Sequence, residues 1–381
     1  MKIDLKNPGH IKLLLLSEGV NFNEHVLLGV GKQFSENRYY YNVSNDPELF
    51  KYNLPSEILL PQNIESSIYY NKDSRLSLRI QGDILHLFYE EKILFPVSFN
   101  DRPNFFSKDL KNGIECKKVI SMYGRYVLAF FTDSSCIYFE KGMPCKFCSL
   151  KPSRRTFGKD NEKVITPEMA KEASEIAVQT DTERIKYVMY TAGTPGNIDK
   201  GYEQQIEMIE KVKPSFSNDV KHHLTIIPTT NKKLLEKINK AGLDSIAFDI
   251  EVFDKKLFTK YCPGKSTFIG HDGFIESLKL ARSVFGHSNV KVGFVGGLEP
   301  IESLKEGMEF FGKLGISIAI NVFHPDKNTE LEYKTRPSID FLFEMVKFQS
   351  EVYKKYNLIP VFPFGGRRSS LDTEVYRGFF D

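Results

Sequence analysis

Six short apolar runs alternate with amphipathic segments through the second half of the chain, and this alternation limits the fold more than any other feature. The runs at 125–132, 186–191, 222–227, 245–250, 290–295 and 317–322 are rich in β-branched residues, as strands buried on both faces are. Between them, residues 167–179, 200–212, 231–241, 271–285 and 301–314 repeat apolar positions at helical period. Thr166-Pro167 sets a proline at a helix start, and Gly242 and Gly315 stand where helix C-caps belong. Serial β-α units imply a parallel sheet with right-handed crossovers. The units are too few for a full eight-unit barrel, so the predicted class is α/β, a partial (β/α)6 TIM-type barrel with an additional N-terminal β-rich region.

That region is expected over residues 1–120, the barrel over 121–335, and a C-terminal helix with a barrel-closing tail over 336–381. Residues 75–88 alternate on either side of Gln81-Gly82-Asp83, a hairpin signal, and 38–43 and 92–99 are further strand candidates. The region reads either as a lid facing substrate or as a flank that buries one side of the barrel. The glycine-rich tail at 360–381 either closes the barrel mouth or is a loose end. Hydrophobic residues make up 41% and charged residues 27% of the chain, the composition of a core-forming protein. With a formal charge of +3 and no basic stripe, nucleic acid is not an expected partner. Residues 11–16 are too few to span a membrane, and the N-terminus lacks a signal-peptide core, so a cytoplasmic protein is expected, without a membrane partner.

Five cysteines occur, and three crowd one loop after the first barrel strand: Cys136, Cys145 and Cys148. The βα loops of such folds converge at the C-terminal ends of the strands, where chemistry sits. Three thiolates leave a metal shell open. A structural zinc site closes with four ligands, whereas an iron–sulfur cluster held by three keeps one iron free. The residues alone leave two readings, a cluster or a zinc-stabilised scaffold.

In this loop the chain resembles the radical S-adenosylmethionine (radical SAM) superfamily, more narrowly its biotin-synthase-like branch. The loop is unusual in setting eight residues between the first two cysteines, but Cys145-Lys-Phe-Cys148 keeps the family's aromatic, Phe147, before the last. The resemblance implies a [4Fe-4S] cluster on Cys136, Cys145 and Cys148. Its fourth iron would chelate S-adenosylmethionine, and one-electron reduction would release a 5′-deoxyadenosyl radical that takes hydrogen from a substrate. Three further segments follow strand ends in the family's order. Thr191-Ala192-Gly193-Thr194 resembles the glycine-rich motif beside the methionine ammonium, its small residues allowing close approach. Asp249 and Glu251 share a strand face and stand where the branch meets the ribose and methionyl portion; alternatively they pair with a barrel lysine or arginine. Val295 and Gly296, with Gly297 and Glu299 following, resemble the adenine-side segment.

Cys262 is the candidate catalytic thiol, as a hydrogen donor or nucleophile, or else a small buried hydrophobe. With Cys116 it cannot supply a second cluster, so sulfur insertion is not expected. Asn321, His324, Arg336, Arg367 and Arg368 could meet an anionic group. His222 and His223 point to opposite sides of a strand and cannot chelate together. The expected partners are a small-molecule substrate and an electron donor such as flavodoxin or ferredoxin.

Overall fold

A computed structural model of the chain describes residues 3–29, 34, 55, 57–133, 135–152, 165–365 and 368–381. The strand candidate at 38–43 and Arg367 lie outside the described residues. In chain order the N-terminal strands are β1 (Glu57–Leu60), β2 (Ile64–Ser67), β3 (Leu76–Gln81), β4 (Ile84–Tyr89), β5 (Lys92–Pro96) and β6 (Ser98–Phe99). The barrel strands are β7 (Ile120–Tyr123), β8 (Val127–Asp133), β9 (Tyr187–Ala192), β10 (Lys221–Thr225), β11 (Ser245–Glu251), β12 (Val290–Gly296) and β13 (Ser317–Val322).

The large sheet has seven strands in the order β13-β12-β11-β10-β9-β8-β7. Neighbours from β8 to β13 are parallel, and β7 runs antiparallel to β8. This is the partial barrel expected, with one added edge strand. The alternation was readable because both strand faces are buried: Val188, Leu224, Ile246, Phe248, Val292 and Ile318 are sealed under the outer helices. Those helices offer small or apolar faces in return, such as Ala170, Ala173 and Ala177 on Pro167–Asp181 and Leu304, Met308 and Phe311 on Ile301–Lys313. Each fully buried large apolar side chain contributes about 1.5–3 kcal/mol.

Two three-stranded antiparallel sheets make up the described strands of the N-terminal region, ordered β2-β1-β6 and β3-β4-β5. Gln81 pairs with Ile84 across a two-residue turn in which Gly82 has φ +61°, the left-handed geometry such turns favour. The stretch expected as one strand at 92–99 is two, β5 and β6, which join different sheets. Helix Pro8–Glu18 was not foreseen. Asn7 caps it by accepting from the Gly9 and His10 amides, and it is buried nearly all round. Leu13 and Leu16 pack into the barrel core, while Ile11, Leu14 and Leu15 pack into the N-terminal core. A helix buried on nearly every side lacks the one-faced periodicity by which sequence reveals a helix. Among the described residues no helix is long and apolar enough to cross a membrane.

The described part of the tail is built into the fold. Ser370 bridges Asn321 of β13, Val322 N donates to Ser369 O at 2.8 Å, and Ser67 of β2 donates to Arg368 O at 3.0 Å. Arg368 pairs with Glu57 at 2.6 Å and lies 4.7 Å over the Tyr123 ring of β7. Phe362 enters the barrel beside Val127 and Tyr187. On the same flank Lys12 and Glu374 form a buried ion pair at 2.9 Å.

Glu65 is sealed in this junction, accepting from Arg125 N at 2.7 Å. Burial first, then the Glu57 carboxylate, pushes its carboxyl from 4.5 up to about 8. Between those values the folded chain holds a proton that the unfolded chain has lost, so stability falls as pH rises through this window. Urea denaturation across it should show that decline in the wild type and a flatter profile in Glu65→Gln; equal slopes would place the proton elsewhere.

Candidate functional site

β8 ends at Asp133, and Cys136 then stands at the N-cap of the one-turn helix Ile137–Glu140. Gly142 follows at φ +68° with open space around it, so the turn toward Cys145 requires a residue tolerant of left-handed backbone. Backbone hydrogen bonds fix the loop to two other strand ends. Ile137 N donates to Thr194 O at 2.9 Å after β9. Lys146 N donates to Tyr261 O at 2.9 Å and Gly264 N donates to Met143 O at 3.1 Å, both after β11.

Two glycines admit this docking. A Cβ on Gly193 would stand 1.7 Å from Ser135 O, and one on Gly264 would stand 2.6 Å from Met143 O and 2.5 Å from the Tyr138 ring. Gly193 thus permits a close approach of the cysteine loop itself.

All five cysteines are free thiols; Cys136, Cys145 and Cys148 are partly exposed, while Cys116 and Cys262 are buried. Cys262 is 0% exposed, at the break between helices Lys255–Tyr261 and Pro263–Phe268. The Cys262 thiol first, then Lys265, holds the Cys145 thiol below its ordinary range despite burial. Burial, then the charge of Cys145, pushes the Cys148 thiol up. Cys116 stands apart, its thiol facing Ala173 O at 3.9 Å and pushed up to about 12 by burial. Among the described residues no three Cys, His, Asp or Glu side chains form a ready-made site for a metal ion. The donor set nonetheless suits a cluster, which takes thiolates alone and gives each its own iron.

Below the loop, Asp249 and Glu251 are both neutralised by lysines. Lys291 Nζ lies 3.2 Å from Asp249, and Lys265 Nζ lies 2.7 Å from Glu251 while donating to Asp249 O at 2.6 Å. The alternative pairing raised from the sequence is the one formed. Strict alternation also fails here. A bulge separates Asp249, opposite Gly293, from Glu251, opposite Phe294, and Glu251 takes φ +73°. A non-glycine residue held there stores about 1–3 kcal/mol of strain, and such residues gather at functional sites. Gly293 is required because a Cβ would stand 2.1 Å from Asp249 Oδ1. Burial raises the Glu251 carboxyl while Lys265 opposes the shift.

At the end of β12, Val295 lies on the same strand face as Lys291 and Gly293. Gly296 does not: its Cβ position is closed by Ile320 and Met345 at 3.0 Å, and that of Gly297 by Pro337 at 2.4 Å. On that side both glycines admit close packing by neighbouring residues. Glu299 accepts from Phe253 N, Asp254 N and Ser303 Oγ at 2.7–3.1 Å, bracing the loop after β11. Ser149, next to Cys148, donates to Asp326, whose other oxygen lies 2.6 Å from His324 Nδ1. Arg336 turns away, donating to Leu16 O at 3.0 Å. His222 meets Tyr190 OH at 2.9 Å and His223 meets Ser245 Oγ at 2.8 Å, on opposite strand faces as predicted. Thr191 and Ala192 end β9, and Phe147 packs partly buried on the barrel core.

Sequence reasoning missed the part played by Lys265 and Lys291. Lys291 left a signal, a lone lysine inside an otherwise apolar strand. Gly193→Ala should lower stability by about 1–3 kcal/mol in urea denaturation through overpacking. Gly196→Ala, whose Cβ would meet only Ile137 at 3.8 Å, should cost far less, and equal costs would dissolve the docking argument.

Residues 142–311 match the Radical SAM superfamily, so Cys145 and Cys148 lie inside the match and Cys136 precedes it. Over 298 residues the chain is 24% identical to the bacteriochlorophyllide c C-7(1)-hydroxylase of Chlorobaculum limnaeum, covering 74% of this chain and 73% of that protein. Similar solved structures include methylornithine synthase, with TM-score 0.44, 18% identity, and coverage of 64% of this chain and 71% of that one. Another is the hydrogenase maturase HydG of Carboxydothermus hydrogenoformans, with TM-score 0.46, 16% identity, and coverage of 62% and 53%. The chain thus spans about half the length of that maturase. Residues 142–311, which include β9 to β12 of the partial α/β barrel, are thus similar to a radical SAM domain.

Proposed function

We propose that Cys136, Cys145 and Cys148 hold a [4Fe-4S] cluster whose open iron binds S-adenosylmethionine. The enzyme would then draw hydrogen from a small-molecule substrate. The observation that carries this reading is the triplet of free thiols on one loop, docked onto the ends of β9 and β11 at the C-terminal face of the sheet. When bound, the cluster supplies the single electron that cleaves S-adenosylmethionine reductively. The chain's own groups set the field around it. Lys265 brings a positive charge to the thiols, offsetting the charge they carry as ligands. Its bonds to Asp249 O and Glu251 fix that ammonium in place. Phe147 and Thr191 to Thr194 border the loop, and Val295 offers an apolar contact on the adenine side.

The ordered segments at successive strand ends support the biotin-synthase-like branch. Because Asp249 and Glu251 already carry lysine partners, either could accept from ribose hydroxyls without leaving a bare buried charge. The electron would come from a flavodoxin or ferredoxin. The hydroxylase relative supports hydrogen abstraction, since hydroxylation replaces a C–H bond. The N-terminal sheets and tail would wall the substrate space between β13 and β7.

Protein reconstituted without oxygen should contain iron and acid-labile sulfide, and should form 5′-deoxyadenosine with dithionite and S-adenosylmethionine. Alanine at any one of Cys136, Cys145 or Cys148 should abolish that product. A variant with full activity removes its residue from the ligand set, and zinc without sulfide in the wild type would replace this reading with the scaffold.

A further inference from the structure

We propose that Asp326 is a positioning residue for Cys148, seating the third thiol of the loop through Ser149. The purpose of that seat, to present a ligand, rests on the cluster reading above.

The backbone ties that dock the cysteine loop fall at Ile137, Met143 and Lys146, on the side of the first two cysteines. Cys148 stands at the far end, in a turn that its amide closes by donating to Cys145 O at 2.9 Å. Next in the chain, the buried Ser149 donates its hydroxyl to Asp326, which is buried as well. Asp326 is itself held firmly. Its other carboxylate oxygen lies 2.6 Å from His324 Nδ1, its amide donates to His324 O at 3.0 Å, and its carbonyl accepts from Thr329 Oγ1 at 2.7 Å. The segment continues β13, and Phe323 N fixes its start by donating to Gly296 O of β12 at 3.0 Å.

β8 and β13 are the first and last of the parallel strands, with four others between them. The Ser149–Asp326 bond therefore joins their two loops across the C-terminal face of the sheet. Lys146 also meets Glu330 of the β13 loop at 3.0 Å, but that pair stands partly in water, where an ion pair contributes little. The buried bond differs, because a sealed hydroxyl or carboxylate left without its partner finds no water to replace it. Residues behind a metal ligand fix its orientation, and Asp326 stands behind Cys148 in this sense.

The test is iodoacetamide labelling of the full chain before iron is added, scored cysteine by cysteine by mass spectrometry, followed by reconstitution. Asp326→Ala and Ser149→Ala should each label Cys148 about tenfold faster than wild type, with Cys136 unchanged, and should lose iron to a chelator faster once reconstituted. Asp326→Asn keeps an acceptor for the Ser149 hydroxyl and should restore a rate near wild type. Glu330→Ala should change the rate by less than about twofold. Cys148 labelling that stays at the wild-type rate in both Ala variants overturns the proposal. So does an Asn variant as fast as Ala, because that assigns the effect to the lost charge. If Asp326→Ala does not fold, as judged by urea denaturation, Ser149→Ala decides alone. Equal acceleration at Cys136, Cys145 and Cys148 would make the bond a tie for the whole loop and sink the seat. Wild-type protein that takes up no iron removes the cluster reading, while the labelling rates still decide the seat.

Discussion

The absent side chain of Gly193 lets the Ser135 carbonyl sit where a Cβ would be, and on that contact the placement of every candidate ligand turns. The cysteine loop is otherwise a poor candidate for order: it has a one-turn helix, a left-handed glycine and a proline within ten residues. Its backbone amides and carbonyls need partners, and the loops after β9 and β11 supply them. Glycine at 193 and 264 makes those partners reachable. The loop is thus fixed by backbone hydrogen bonds.

The charges beneath the loop obey the same economy of space. Burying an isolated carboxylate costs several kcal/mol, so two in one barrel end require compensation. Lys291 and Lys265 provide it, one from the neighbouring strand and one from the helix after Cys262. The bulge that turns Glu251 toward Lys265 leaves Glu251 strained, and the ion pair holds it there. Lys265 then carries charge to the sulfurs, so strand, helix and cysteine loop share one electrostatic unit.

What the sequence disclosed depended on whether a residue's neighbours were local. Strands buried on both faces and helices with one apolar face announce themselves by period, and the barrel boundaries shifted by only a residue or two. The cysteines, Gly193, Asp249 and Glu251 were singled out by type and order, and the structure brings their segments together. Their partners were hidden because the pairing spans chain distance: Lys291 is forty-two residues from Asp249, and Gly264 is well over a hundred from Met143, whose carbonyl it meets. The glycines at 296 and 297 had close neighbours equally remote in sequence: Met345 and Pro337 lie against the side where a Cβ would stand.

Six parallel strands do not close a barrel, and each unclosed edge presents unpaired amides and carbonyls. β7 covers one edge by pairing antiparallel with β8. The other edge, β13, is met by the tail through Ser369 and Ser370, and the tail is met in turn by Ser67 of β2. Arg368 joins both sides, because its guanidinium reaches Glu57 in the N-terminal sheet and the Tyr123 ring on β7. The first and last parts of the chain therefore complete the wall that the β-α units leave open. A sheet edge satisfied by a short tail segment, in place of a full strand, yields with fewer broken hydrogen bonds than a barrel seam would. The Arg368–Glu57 pair is therefore the side-chain tie that holds the tail against the N-terminal sheet on this side.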